Sequence, residues 1–301
     1  MSAGWPSLSY TDWAPCCDTL HALTQLLGKL AVALAVPEPQ LQHAALRLTA
    51  RGWETAPLPA PEGGGSLVVV LDLHRHQALI EHSAGETRHI DLPSRPVADI
   101  TQDVLAAIQS LAGAVTINPT PQEVLWEVAL TEDHEHRSYD PAGVETYFTA
   151  ATRAALVLAE FRAPFRGRVT PVNAWWGSFD LAVNLFSGAP ADPPSDDFIM
   201  RNAMDSQEIA IGWWPGDPKY PRAAFYGYAH PAPAGFEVAQ LAPAPARWEP
   251  ALGEFVLDWA DAITQDDPHQ AALRFAHSVF AHACTVCHWP DELAATITGG
   301  S

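Results

Sequence analysis

The sequence predicts an α+β protein of two similar halves, each a mostly antiparallel sheet with helices packed on one face. Three observations carry this. Apolar residues recur at steps of three and four in four separate stretches, which is helical spacing. Short runs of β-branched and aromatic residues lie between them, mostly with period-two alternation. Those runs follow one another through short turns rather than crossover helices, an order that favours antiparallel pairing.

Leu20, Leu23, Leu27, Leu30 and Leu34 form the first helical stripe, which Pro37 stops. Strands are expected next at LRLTAR, SLVVVLDL, ALIEHS and TRHIDL. Val97, Ile100, Val104, Ile108 and Leu111 mark a second helix, and VLWEVAL reads as another strand. The third helix carries Val144, Phe148, Ala151, Ala155 and Leu158. Asp140 suits its N-cap and Pro141 its first position, where a missing N–H costs nothing. SFDLAVNLF, QEIAIGWW, AAFYGYAH and EFVLDW are the later strands, and Ala272, Phe275, Val279, Ala283 and Val286 the fourth helix. GGG at Gly63, GAPADPP and QLAPAPA read as surface loops.

The halves are placed at residues 1–130 and 131–301, the second opening with a linker helix over 141–162. A shift of 133 residues lays LRLTARGWETAP (Leu46 to Pro57) on FDLAVNLFSGAP (Phe179 to Pro190) and Gln40 on Asn173, the pattern of a diverged duplication.

Composition bounds the function. The chain has 301 residues, 48% hydrophobic, enough for a substantial core. Thirty-five acidic residues against 16 basic ones, a formal charge of -19, disfavour a phosphate backbone or an anionic membrane as partner. The Ala- and Pro-rich, Lys-poor composition reads as bacterial. MSAGWPSLSYTDWAP has no basic flank leading into an apolar run, so a cytoplasmic protein is expected. Cys16 with Cys17 and Cys284 with Cys287 are close pairs and imply no disulfide framework.

CTVCH, Cys284 to His288, matches the haem-attachment pattern, but it lies in the last turns of an amphipathic helix and no haem is expected. The pairs His74/His76 and His134/His136 are expected to face solvent, with His136 retained as a candidate beside the SYDP turn. The most informative stretch is PVNAWWGSFDLAVNLFSG. Alternation puts Phe179, Leu181, Val183 and Leu185 on a core face and Asp180, Ala182 and Asn184 on the other. Trp175 and Trp176 precede that strand, and one of them is a candidate pocket wall. In QEIAIGWW, Glu208 faces away from Gln207, Ile209 and Ile211, ahead of Trp213 and Trp214. In AAFYGYAH, Tyr226, Tyr228 and His230 share one face. Were these strands neighbours, Asn173, Asp180, Glu208, Tyr228 and His230 would line one concavity with the groups that acid/base catalysis needs.

At these residues the chain resembles a family of uncharacterised bacterial proteins, domain-of-unknown-function family 5996. WPSLSYTDWAPCCDTLHALTQLLGKL, LTARGWETAPLP, HRSYDPAGVETYF, FRAPFRGRVTPVNAWWGSFDLAVNLFSG, QEIAIGWWPG, FYGYAHPAPAGF and ALGEFVLDW carry the resemblance over nearly the whole chain. It implies no reaction. It does imply that relatives carry histidine where this chain has Gln40, Asn173 and Gln207. If family histidines bind a metal, this chain has lost that site or rebuilt it from His43, His136, Glu208 and His230, since amides are poor transition-metal ligands.

The expectation is therefore a metal-independent acid/base enzyme, an isomerase, cyclase or hydrolase acting on a neutral or apolar small molecule. Asp180 or Glu208 would be base, Tyr228 or His230 acid. Asn173, Trp175, Trp176, Trp213, His43 and His136 would bind substrate, with no cofactor, nucleic acid or membrane. Two alternatives stand beside it: a metal-dependent enzyme using surviving His and Glu ligands, and a non-catalytic ligand-binding or partner protein.

Overall fold

The computed structural model describes residues 4–298, with helices and two antiparallel sheets, an α+β fold. In chain order the elements are α1 (Tyr10–Leu34), a 3-10 segment (Pro39–Ala44), β1 (Arg47–Leu48), β2 (Gly52–Glu54), β3 (Leu58–Pro59), β4 (Ser66–Asp72), β5 (Gln77–His82), β6 (Thr87–Asp91) and α2 (Val97–Ala112). After a long irregular stretch come α3 (Pro141–Arg162), β7 (Asn173–Trp175), β8 (Asp180–Pro190), α4 (Phe198–Ala203), β9 (Ser206–Trp214), β10 (Ala224–His230), β11 (Arg247–Glu249), β12 (Glu254–Asp258), α5 (Trp259–Ala262), α6 (Pro268–Val286) and α7 (Asp291–Thr298). The first sheet runs β1-β2-β4-β5-β6, with β3 also on β4; the second runs β11-β12-β10-β9-β8-β7. A long helix precedes each meander and another follows it.

The chain forms two compact units built from interrupted segments. One comprises Thr11–Phe148 and Ala174–Asp180; the other takes residues 4–10, 149–173 and 181–298. In the first, the leucine stripe of α1 is buried from Leu20 to Leu30, and α2 packs on β5 and β6 through Val97, Ile100, Val104 and Ile108. The segment Ala174–Asp180 belongs to this unit because of what it touches. Ala174 exchanges both backbone hydrogen bonds with Leu46, at 2.9 and 3.0 Å. Trp176 donates from its indole to the Ala44 carbonyl and lies flat on α1 at Gly28, where a Cβ would come within 2.1 Å of the ring. Phe179, at φ 57, holds a backbone conformation disfavoured by about 1–2 kcal/mol for a side chain of its kind. Its ring stacks within 5.0–5.2 Å of His21, Trp53 and Tyr147, and aromatic pairs worth about 0.5–1.5 kcal/mol each offset that strain.

In the other unit, alternation sorts the sheet as the sequence predicts from Leu181 onward; Phe179, expected on the same face, instead precedes β8 at positive φ and packs in the first unit. Leu181, Val183, Leu185, Ile209, Ile211, Trp213, Phe225, Phe255 and Leu257 are buried on one face. Helix α6 packs there, its Val279 closing on Gly227. Asp267 caps α6 through the N–H of Gln270; in the first unit, Asp140 caps the start of α3 through the N–H groups of Ala142 and Gly143.

VLWEVAL is not a strand: residues 124–130 run irregularly, and the Leu130 N–H closes on the Pro119 carbonyl instead of a ladder. The physical reason lies just upstream. Pro119 and Pro121 supply no N–H, and Glu123 sits at φ 61, which turns the chain out of extended geometry.

Candidate functional site

Three adjacent strands of the second sheet bring a polar cluster together. Glu208 on β9 stands opposite Phe186 on β8 and His230 on β10. Asn184 and Tyr228 both stand opposite Ala210, whose small side chain leaves them room to lean toward Glu208 two residues along β9. Tyr228 places its hydroxyl 3.4 Å from Glu208 Oε1, and the Asn184 amide also donates to the carboxylate. The Tyr228 ring lies parallel to Tyr226 at 6.2 Å, and Tyr226 in turn covers Gly212, where a Cβ would meet its ring at 2.3 Å.

Glu208 is 3% exposed. Burial raises its pKa from 4.5 to about 7, against the opposing pull of the Asn184 and Tyr228 hydrogen bonds; Asp205 adds to the rise and Arg168 reduces it. The carboxyl therefore changes charge near neutrality. Asn184 Oδ1, buried beside it, has no hydrogen-bond partner among the described residues. His230 donates from Nε2 to the Asp192 carbonyl at 3.0 Å.

Glu208 and His230 line a pocket of about 240 Å³. Its other walls are Gln207, the turn Pro231–Pro233 after β10, and the end of α6 with its exit, Val286 to Trp289. Three of the five residues of CTVCH, Val286, Cys287 and His288, thus face the pocket, but burial raises the pKa of Cys287 and pushes that of Cys284 to about 12, so both are thiols rather than thiolates.

Of the residues singled out from sequence, Glu208, Tyr228 and His230 come together here. Trp213, five positions from Glu208 on the same strand, faces the opposite side, packed on Trp259 at 5.7 Å; Trp289 is the pocket's tryptophan. Asn173 is buried on β7. Asp180, Trp175, Trp176, His43 and His136 belong to the other unit. There Asp180 is buried and accepts from the Ser178 hydroxyl at 2.5 Å, Trp176 is core and Trp175 half-buried. His43 Nδ1 accepts from the Glu38 N–H at 3.0 Å.

His136 builds a turn. Its Nδ1 is 2.7 Å from Asp133 Oδ2, while Asp133 Oδ1 accepts the N–H groups of Glu135 and His136. The carbonyls of Asp133 and His136 then satisfy the first N–H groups of α2. The Asp133 hydrogen bond raises the His136 pKa. Among the described residues no three His, Cys, Asp or Glu side chains cluster as a metal site, and no helix is long and apolar enough to cross a membrane.

Fold and site together define an α+β protein with a buried carboxyl of raised pKa at the wall of a small pocket. The chain belongs to the family of unknown function DUF5996, whose model matches residues 5–296. No curated protein and no solved structure matches it.

Proposed function

We propose that the protein is an acid/base enzyme acting on a small molecule in the Glu208 pocket, with its chemistry carried by side chains. The observation that supports this most is Glu208 itself: a nearly inaccessible carboxyl at a pocket wall, with a pKa of about 7. A group poised near the working pH both gives and takes a proton readily. Glu208 moves the proton, His230 across the strand pair offers the second acid/base position, and Tyr228 and Asn184 orient the carboxyl from behind. Isomerisation, cyclisation and hydrolysis are the reaction classes such a pair serves. The cytoplasmic setting belongs to the same proposal, since the four cysteines stand as thiols.

The test is to incubate wild-type protein and Glu208→Gln with a mixed pool of small metabolites in D2O and follow masses over time. The proposal requires at least one compound to be converted or deuterated by wild type and not by the variant. Equal conversion by both proteins, or conversion by neither, refutes it.

A further inference from the structure

We propose that the Glu208 pocket binds a small primary amine, an ammonium head on a compact apolar body, with the Glu208 carboxylate as its counter-ion. The inference rests on the acid/base reading of this pocket and narrows its ligand. Four features carry it. The lining contains one carboxyl and no lysine or arginine; its only basic nitrogens are the imidazoles of His230 and His288, so a phosphate or carboxylate would meet no permanent cation there and would face the Glu208 carboxyl. Among the described residues no basic side chain forms an ion pair with Glu208; Arg168, which acts on it only through space, lies over the Phe186 ring at 4.6 Å. A desolvated carboxyl held only by neutral donors gains most from a ligand that brings a positive charge. Pro231, Ala232, Pro233, Val286 and Trp289 give the rest of the pocket an apolar wall, and the chain's charge of -19 concentrates cations around it.

The size of the ligand follows from the volume. About 240 Å³ is the share of liquid that about eight water molecules occupy, which suits a single ring with a one-carbon amine arm. Binding an ammonium converts the Glu208 carboxylic acid to carboxylate, and the displaced proton leaves to solvent. The groups facing that equilibrium are Asn184 and Phe186 on β8, Asp205 before β9, Tyr228 and His230 on β10, Cys287 and His288 at the end of α6, and Arg168.

Benzylamine, benzyl alcohol and benzoate share one ring and differ in charge. Each is titrated calorimetrically into the full chain at about pH 6 and about pH 8, in two buffers of unlike ionisation heat, with wild type and Glu208→Gln. Benzylamine is expected to bind at least about tenfold tighter than benzyl alcohol at the higher pH, with benzoate weakest. Its own affinity should rise about tenfold from pH 6 to pH 8, because only about a tenth of the carboxyl is ionised one unit below its titration point, and close to one proton should be released per amine at pH 6. Glu208→Gln should lose the amine preference while keeping benzyl alcohol; His230 and His288 are present in both proteins, so the comparison isolates Glu208. Benzyl alcohol binding as tightly as benzylamine, or a variant that keeps the preference, overturns the amine inference and leaves the acid/base pocket standing. If none of the three binds either protein, both fall.

Discussion

Glu208→Gln removes an ionisable group while keeping the shape of the side chain, so it isolates the cost of holding that carboxyl in the fold. Glu208 titrates at about 7 in the folded protein against 4.5 as an ordinary glutamate. Between those values the folded state binds more protons than the unfolded state, so stability falls as pH rises through the window. A shift of two to three pH units corresponds to about 3 kcal/mol, an upper figure because relaxation and water entry soften the cost of a buried charge. Glutamine stays neutral throughout. The variant should therefore match wild type at about pH 4.5, where the carboxyl is protonated, and exceed it by up to about 3 kcal/mol at about pH 8. Urea unfolding of both proteins across that range, followed by tryptophan fluorescence, measures the difference. Two stability curves that stay parallel from pH 4.5 to pH 8 would rule out a raised pKa at Glu208, because a carboxyl with an ordinary pKa contributes no slope there.

Tyr228→Phe deletes a donor that favours the carboxylate, so the Glu208 titration should move further up, by well under one unit given the 3.4 Å separation, with stability nearly unchanged; carboxyl NMR reads this. Gly28→Ala drives a methyl into the Trp176 indole and should destabilise the protein by about 1–3 kcal/mol, measured as a lower urea midpoint. Asp133→Asn should cost stability at every pH through the weakened turn at α2, and more at about pH 5 than at about pH 9. The sign follows from His136, whose raised pKa makes its pairing with Asp133 fully stabilising below the unfolded value and lost as pH rises through the folded one. Equal losses at both pH values would show that the imidazolium contributes nothing.

The amphipathic stripes of α1, α2, α3 and α6 and the alternation of β8, β9 and β10 were readable because each is a local period imposed by one buried face. The facial grouping of Glu208 with Tyr228 and His230 follows from the same parity. That β8, β9 and β10 are neighbours is a long-range choice, and no local period records it. Trp213 shows how parity is lost to residue type: position 213 shares its face with Ile209 and Ile211, hence with the core, whatever a paired tryptophan brings to mind. Trp289 carried no signal, since it follows the helix end where periodicity stops. Asn184 was assigned to the correct face, yet its part beside Glu208 appears only with the register that sets it and Tyr228 opposite Ala210. VLWEVAL had strand composition, but the prolines and the positive φ ahead of it decide otherwise.

The proposed chemistry depends on Glu208 exchanging its proton near neutrality at a pocket wall. Carbon-13 labelling of glutamate carboxyls, with the Glu208 signal assigned by its disappearance in Glu208→Gln, gives its titration curve in the intact protein. Its midpoint should lie near 7; a midpoint near the ordinary 4.5 would overturn the assignment of Glu208 as the proton-exchanging group.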